Sequence, residues 1–213
     1  MSAGQPSIES AFFDPYRALL QRIPLSPLPD AARLQAELGA LVAPIRFEPQ
    51  APKTRPRRRK VTLDGLYEVR IARLGVVPTR THLHDAMNAL VWATFPRSKR
   101  LLAQRQCDAL VAQIGERPTH LPNARTRERD VLAMIDEGGI LSIGERRLVF
   151  GHAILEHLAQ SDADVRGFPI ALDLPPEAPL SAVDEALASW LAGFDPSGAR
   201  AEAVVVSRRL EAG

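Results

Sequence analysis

Cysteine is almost missing from this chain. Cys107 stands alone, which excludes an internal disulfide and a zinc cluster of the multi-cysteine kind, and it reads as a small buried apolar side chain on a helix. No uninterrupted apolar run approaches the roughly 18 residues that mark a membrane-spanning helix, so no membrane partner is expected. The opening MSAGQPSIES has neither the basic start nor the apolar block of a secretory signal, and the expected location is the cytoplasm. Familiar catalytic signatures are also missing: the chain has no HExxH, no paired CxxC and no glycine-rich phosphate loop, and GERR at 144–147 is a polar turn. No serine lies in a strand-to-helix elbow; Ser98 reads as a helix cap and Ser142 as a strand residue.

Hydrophobic residues make up 46% of the chain and charged residues 24%, the balance of an ordinary globular protein. The expected fold is a single α+β domain over residues 1–213, mostly helical with a small antiparallel β-hairpin or sheet. Its motif-bearing core is placed at about 65–160, with a basic linker at 49–60 and a proline-rich C-terminal extension at 167–213. The net charge of +2 hides an asymmetry, because KTRPRRRK at 53–60 carries six positive charges and the remainder of the chain is therefore at −4. Such a run serves either as a solvated linker or as a grip on an acidic partner or nucleic acid. It lacks an interleaved aromatic for stacking on bases.

The chain is organised around THLHDAMNALVWATFPRSK, residues 81–99. A helix from Leu83 to Phe95 puts Leu83, Met87, Leu90, Val91 and Thr94 on one face, with His84 and Asn88 one turn apart beside it. Pro96 ends that helix, and a second one follows with Leu102, Gln106, Leu110 and Ile114 along one side. Upstream, Asp14 and Pro15 are expected to open a short helix, Asp30 to cap another that Pro44 stops, and Asp64 to cap one that ends at Gly75. Ile45–Phe47 reads as a short strand. Downstream, VLAMI at 131–135 and ILSI at 140–143 flank Asp136, Glu137, Gly138 and Gly139, which predicts a hairpin turning on those four residues. Gly151 precedes a helix that places His152 and Glu156 on one face. The extension is expected to hold a strand IALDL at 170–174, a helix capped by Ser181 and an edge strand AVVV at 203–206.

YEVRI with VVPTRTHLHDAMNALVWATFPRSK, then RDVLAMIDEGGIL, then LVFGHAILEHL resembles the bacterial domain-of-unknown-function family 3025. The pattern spans about residues 65–160, and its blocks are specific in order and spacing. His84, Asp85, Asn88, Ala89, Leu90 and Trp92 match the family's helix, Asp136 and Glu137 its Asp-Glu pair, and Gly151 and His152 its Gly-His pair. Leu83 departs from it, since a tryptophan is common there. The resemblance implies a fold relationship and no reaction.

Read as chemistry, the same residues form one candidate site. His84, Asp85, Asn88 and Glu137 are the expected catalytic side chains, with His84 a general base and Asn88 an orienting group. His84, Asp136, His152 and Glu156 are the expected ligands of a divalent metal, since imidazole nitrogen with carboxylate oxygen suits zinc, manganese or non-haem iron. A metal with an open position would activate water against a phosphoester or an amide. A histidine–asparagine nuclease fits poorly, because here the hairpin follows the helix. The structural alternative leaves each group satisfying local backbone or pairing across one turn, as His152 with Glu156. The functional alternative to a metal-assisted hydrolase is a binding module that works through residues 53–60.

Overall fold

Helix α4 (Leu83–Thr94) lies at the centre of the core. Of the predicted stripe Leu83, Met87, Leu90 and Val91 are buried and Thr94 is half-buried, but Ala86, Ala89 and Trp92 are buried too, because α4 is packed on several sides by helices from both halves of the chain. A computed structural model describes residues 6–50, 62–161, 163–198 and 204–206. Among these, eight α-helices and two short sheets give the expected mostly helical α+β fold. The basic run at 53–60 falls outside the described residues.

The chain begins with a 3-10 turn, Ala11–Tyr16, that leads into α1 (Arg17–Arg22). Its cap is Ser10, whose hydroxyl accepts from the Phe12 amide at 3.2 Å. The expected Asp14-Pro15 start is overridden because the turn begins earlier and buries Phe13 and Tyr16. Asp30 caps α2 (Ala31–Val42) as the sequence predicts, accepting from Arg33 N at 2.8 Å. β1 (Arg46–Pro49) then runs parallel to β2 (Val76–Thr79), with Arg46 opposite Val76. Between them comes α3 (Tyr67–Leu74), which ends on Gly75 at φ 65°, a left-handed position that glycine takes at little cost. Asp64 does not cap α3; it lies in the preceding 3-10 turn Leu63–Gly65.

Pro96 ends α4 and occupies the first turn of α5 (Pro96–Ile114), where its missing N–H costs nothing. Ser98 is not the cap. It is fully buried within α5, and the cap arrives from α8 (Leu180–Gly193): Asp184 accepts from the amides of Arg97 and Ser98, both at 2.9 Å, and from Ser98 Oγ at 2.7 Å. Ser181 likewise lies inside α8 rather than capping it.

The predicted hairpin is displaced. VLAMI belongs to α6 (Arg127–Gly138), opened by Thr126 and burying Val131, Leu132 and Ile135. A short apolar run reads equally as strand or helix, and here the helical spacing of the three buried residues decides. The true hairpin pairs β3 (Gly139–Ile143) with β4 (Arg146–Val149), turning on Gly144 at φ 57° and Glu145. After α7 (His152–Gln160), β5 (Val165–Ala171) joins β3 in parallel, earlier in the chain than the expected IALDL. β6 (Val204–Val206) pairs antiparallel with residues 165–167 of β5, so Pro169, lacking an N–H, falls beyond that pairing. One apolar cluster runs from Phe13 to Leu191 and takes in both sides of the α4 region.

Candidate histidine centre

His84 lies in the first turn of α4 and His152 at the start of α7, and the packing of those two helices brings their rings face to edge. The ring centroids are 4.6 Å apart at 73°, and the two Nε2 atoms are 3.1 Å apart. Each outer nitrogen meets an oxygen. His84 Nδ1 is 2.7 Å from a Glu156 carboxylate oxygen, and His152 Nδ1 is 2.8 Å from the Asp136 carbonyl. The register of α7 explains the first contact, since Glu156 follows His152 by one turn and so lies beside the same approach to α4. The second follows from Gly151. A Cβ there would lie 2.5 Å from Glu137 O and from the Gly138 backbone, so only a residue without a side chain lets α7 start against the end of α6.

Behind His152 lies a buried polar network. Lys99 is 3% exposed; its Nζ donates to Asn88 Oδ1 at 2.9 Å and to the Asp136 carboxylate. It also rests over the rings of Trp92 and Phe150, at 5.4 and 5.9 Å, an arrangement that favours a cation. Asn88 donates in turn to the Tyr67 hydroxyl at 3.3 Å. Tyr67 is partly exposed as a residue, and burial first, then the charges of Asp136 and Asp85, raise the pKa of its hydroxyl. Burial pushes the Asp136 carboxyl up, but Lys99 and His152 outweigh it and hold the group below the ordinary carboxylate range. For His152 burial dominates and lowers its pKa to about 4, so the ring is neutral near pH 7.

The expected site is therefore assembled in part. His84, His152, Glu156 and Asp136 come together, but not as four ligands, because Glu156 takes the outer nitrogen of His84 and the Asp136 carboxylate takes Lys99. Among the described residues no group of three or more histidine, cysteine, aspartate and glutamate side chains is arranged to hold a metal. Asp85 does not reach the rings through hydrogen bonds. Its two oxygens take the Arg80 amide at 2.7 Å and the Arg80 guanidinium at 2.9 and 3.0 Å. Burial raises its carboxyl and Arg80 more than offsets this, leaving the pKa lowered. Asn88 contacts Lys99 and Tyr67 rather than an imidazole. Glu137 is exposed at the end of α6 and borders two surface clefts. His82, assigned no role by sequence, caps α4 by accepting from His84 N at 3.2 Å.

A comparison with protein families matches residues 57–148 to the family described as Protein of unknown function (DUF3025). The chain resembles DUF3025. The matched segment contains His84, Asn88, Lys99 and Asp136, whereas His152 and Glu156 lie just past its end. No curated protein and no solved structure matches the chain. No described helix is long and apolar enough to cross a membrane.

Sequence reasoning missed Lys99, although a signal for it existed. Lys99 is three residues before Leu102 and seven before Gln106, on the stripe that α5 turns inward. A lysine on an apolar stripe implies a buried acid or aromatic partner.

Proposed function

We propose that this protein is a metal-assisted hydrolase in which the Nε2 atoms of His84 and His152 hold one divalent cation. What supports the reading is how the outer nitrogens are held. A carbonyl oxygen only accepts, so the Asp136 carbonyl requires a hydrogen on His152 Nδ1; the Glu156 carboxylate draws one to His84 Nδ1 in the same way. Each Nε2 is then left with a lone pair, and the two lone pairs face each other at 3.1 Å. Such a gap has to hold a proton or a cation.

The dimensions suit a cation. At 3.1 Å apart, His84 Nε2 and His152 Nε2 are close enough that both would hold one divalent ion. Histidine ligands ordinarily donate their other ring nitrogen to a carboxylate or a main-chain carbonyl, the two groups found here. Glu156 and Asp136 thus orient ligands instead of serving as ligands. His84 and His152 would hold the ion, whose chemistry when bound would be to polarise water for attack on a phosphoester or an amide. His84, with 32% of its side chain exposed, is the approachable side; His152 closes the other.

The test is metal uptake by protein purified without an affinity tag, measured by elemental analysis and by the visible spectrum of the cobalt form. One cation per chain is expected, lost in His84→Ala and in His152→Ala and held about 10–100-fold more weakly in Glu156→Gln. Hydrolysis of bis(4-nitrophenyl) phosphate or a 4-nitroanilide should follow the same order. If the chain takes up no cation, and neither histidine variant differs from the parent, the gap holds only a proton and the reading fails.

A further inference from the structure

A groove of about 580 Å³ opens between the end of α3, the start of β1 and the first half of α5, apart from the histidine centre. Its floor is apolar: Ile71 and Trp92 are buried there, Leu101 forms a wall, and Leu74 stands 47% exposed at the edge. Arg46, Arg73 and Arg100 also line it, and no carboxylate does so among the described residues. Two of these cations already have acids outside the groove. Arg73 is bound by both Glu116 oxygens at 2.8 and 3.0 Å, and Arg46 reaches Glu48 at 3.3 Å. Arg100 has a main-chain partner instead, its Nη1 donating to the Ala43 carbonyl at 3.0 Å. A guanidinium has five N–H donors, so this single bond leaves most of the fork and its charge available.

We propose that this groove binds a small amphipathic carboxylate, with the apolar body on Ile71, Leu74 and Trp92 and the head group on Arg100. Size selects a small molecule over a folded partner, since the volume falls within the range of about 300–1,000 Å³ typical of small-ligand sites. Charge selects the head group: with Arg46 and Arg73 held by glutamates outside the groove, Arg100 is the lining cation whose partner is a main-chain carbonyl, no described carboxylate lines the groove to offset it, and the planar fork of arginine matches a carboxylate. The apolar floor requires a hydrocarbon body. The inference is independent of any metal at the histidines.

The experiment is calorimetric titration of the full chain with octanoate and, in parallel, with neutral octanamide. One saturable octanoate site is expected, with octanamide bound at least about tenfold more weakly, as for loss of a charge-assisted hydrogen bond. Arg100→Gln should weaken octanoate by a similar factor and leave octanamide unchanged. Ala72→Phe, which places a ring in the groove from a partly exposed position on α3, should abolish both, with an unchanged melting profile showing that the fold is intact. The proposal is overturned if octanoate gives no saturable heat, if acid and amide bind alike, or if Arg100→Gln and Ala72→Phe both titrate as the parent does.

Discussion

Replacing Lys99 by methionine keeps an unbranched apolar stem one atom shorter and removes the charge. The Asp136 carboxylate, only 17% exposed, then loses its ion-pair partner, and Asn88 Oδ1 loses its donor. Breaking a buried pair from one side costs about 3–5 kcal/mol, since the surviving charge is left in a poorly solvating place. At about 2–4 °C per kcal/mol for a chain of this size, the melting temperature should fall by about 6–20 °C. The pH dependence carries the sharper test. In the parent, Lys99 helps hold the Asp136 carboxyl below its ordinary value, so the pair contributes stability above the unfolded carboxyl pKa of about 3.9 and loses it as pH falls. In Lys99→Met, burial acts without that counterweight and raises the carboxyl, so protonation relieves the damage. The gap between variant and parent should therefore be widest near neutrality and narrow in acid. Urea denaturation at about pH 7.5 and about pH 5 measures it, and adding Asp136→Leu to the variant should recover most of the loss. A cost below about 1 kcal/mol, or a gap that widens toward acid, would refute the argument.

Three further outcomes follow from the same geometry. His152 has a pKa near 4 in the fold and about 6.5 when unfolded, so its contribution is complete above pH 6.5 and is lost as pH falls toward 4, by up to about 3 kcal/mol; His152→Gln should remove that component from a pH series of denaturation curves, and an unchanged series counts against a buried neutral ring. Asp184→Ala strands the Arg97 and Ser98 amides at the start of α5, while the Ser98 hydroxyl keeps the Asp184 main-chain carbonyl at 2.9 Å, and should cost about 2–4 kcal/mol by chemical denaturation; a loss no larger than that of Asp173→Ala at an exposed site would show that the interhelical cap is unimportant. Gly151→Ala drives a methyl into backbone 2.5 Å away, whereas Gly193→Ala meets nothing within 4 Å; the first should destabilise by about 1–3 kcal/mol and the second change little, and similar melting temperatures for the two would deny the close approach of α6 and α7.

The parts of this fold that could be read from sequence are those decided within one turn of chain. Asp30 before α2, Pro96 after α4 and Gly75 after α3 act through their own backbone or that of near neighbours, so their effect survives any tertiary arrangement. The errors have the opposite character. Ser98 looked like a cap, but α5 is capped by Asp184, 86 residues away. VLAMI looked like a strand until the placement of α6 against its neighbours selected which of its residues to bury. Asp85 neighbours His84 in sequence, yet a helix turns about 100° per residue and its partner is Arg80; Asn88, one turn on from His84, is instead taken by Lys99 and Tyr67, residues of α5 and α3 that its own helix does not announce.

The histidine pair is the instructive exception, because its members are 68 residues apart and were still placed together. The connection runs through glycine. Gly151 lets the start of α7 touch the end of α6, and this contact delivers the Asp136 carbonyl to His152 Nδ1 while the Asp136 side chain turns away to Lys99. One aspartate thus has two separable functions, a main chain that sets the tautomer of a ring and a carboxylate that balances a buried cation. Asp136→Asn should therefore disturb Lys99 strongly and the His152 hydrogen bond weakly. Nitrogen chemical shifts of the His152 ring distinguish the two: the protonated Nδ1 signal should persist in Asp136→Asn and shift in Gly151→Ala, where the carbonyl itself is displaced. If the signal is lost in Asp136→Asn while Gly151→Ala leaves it in place, the carboxylate and not the carbonyl holds the ring, and the assignment of lone pairs at Nε2 falls with it.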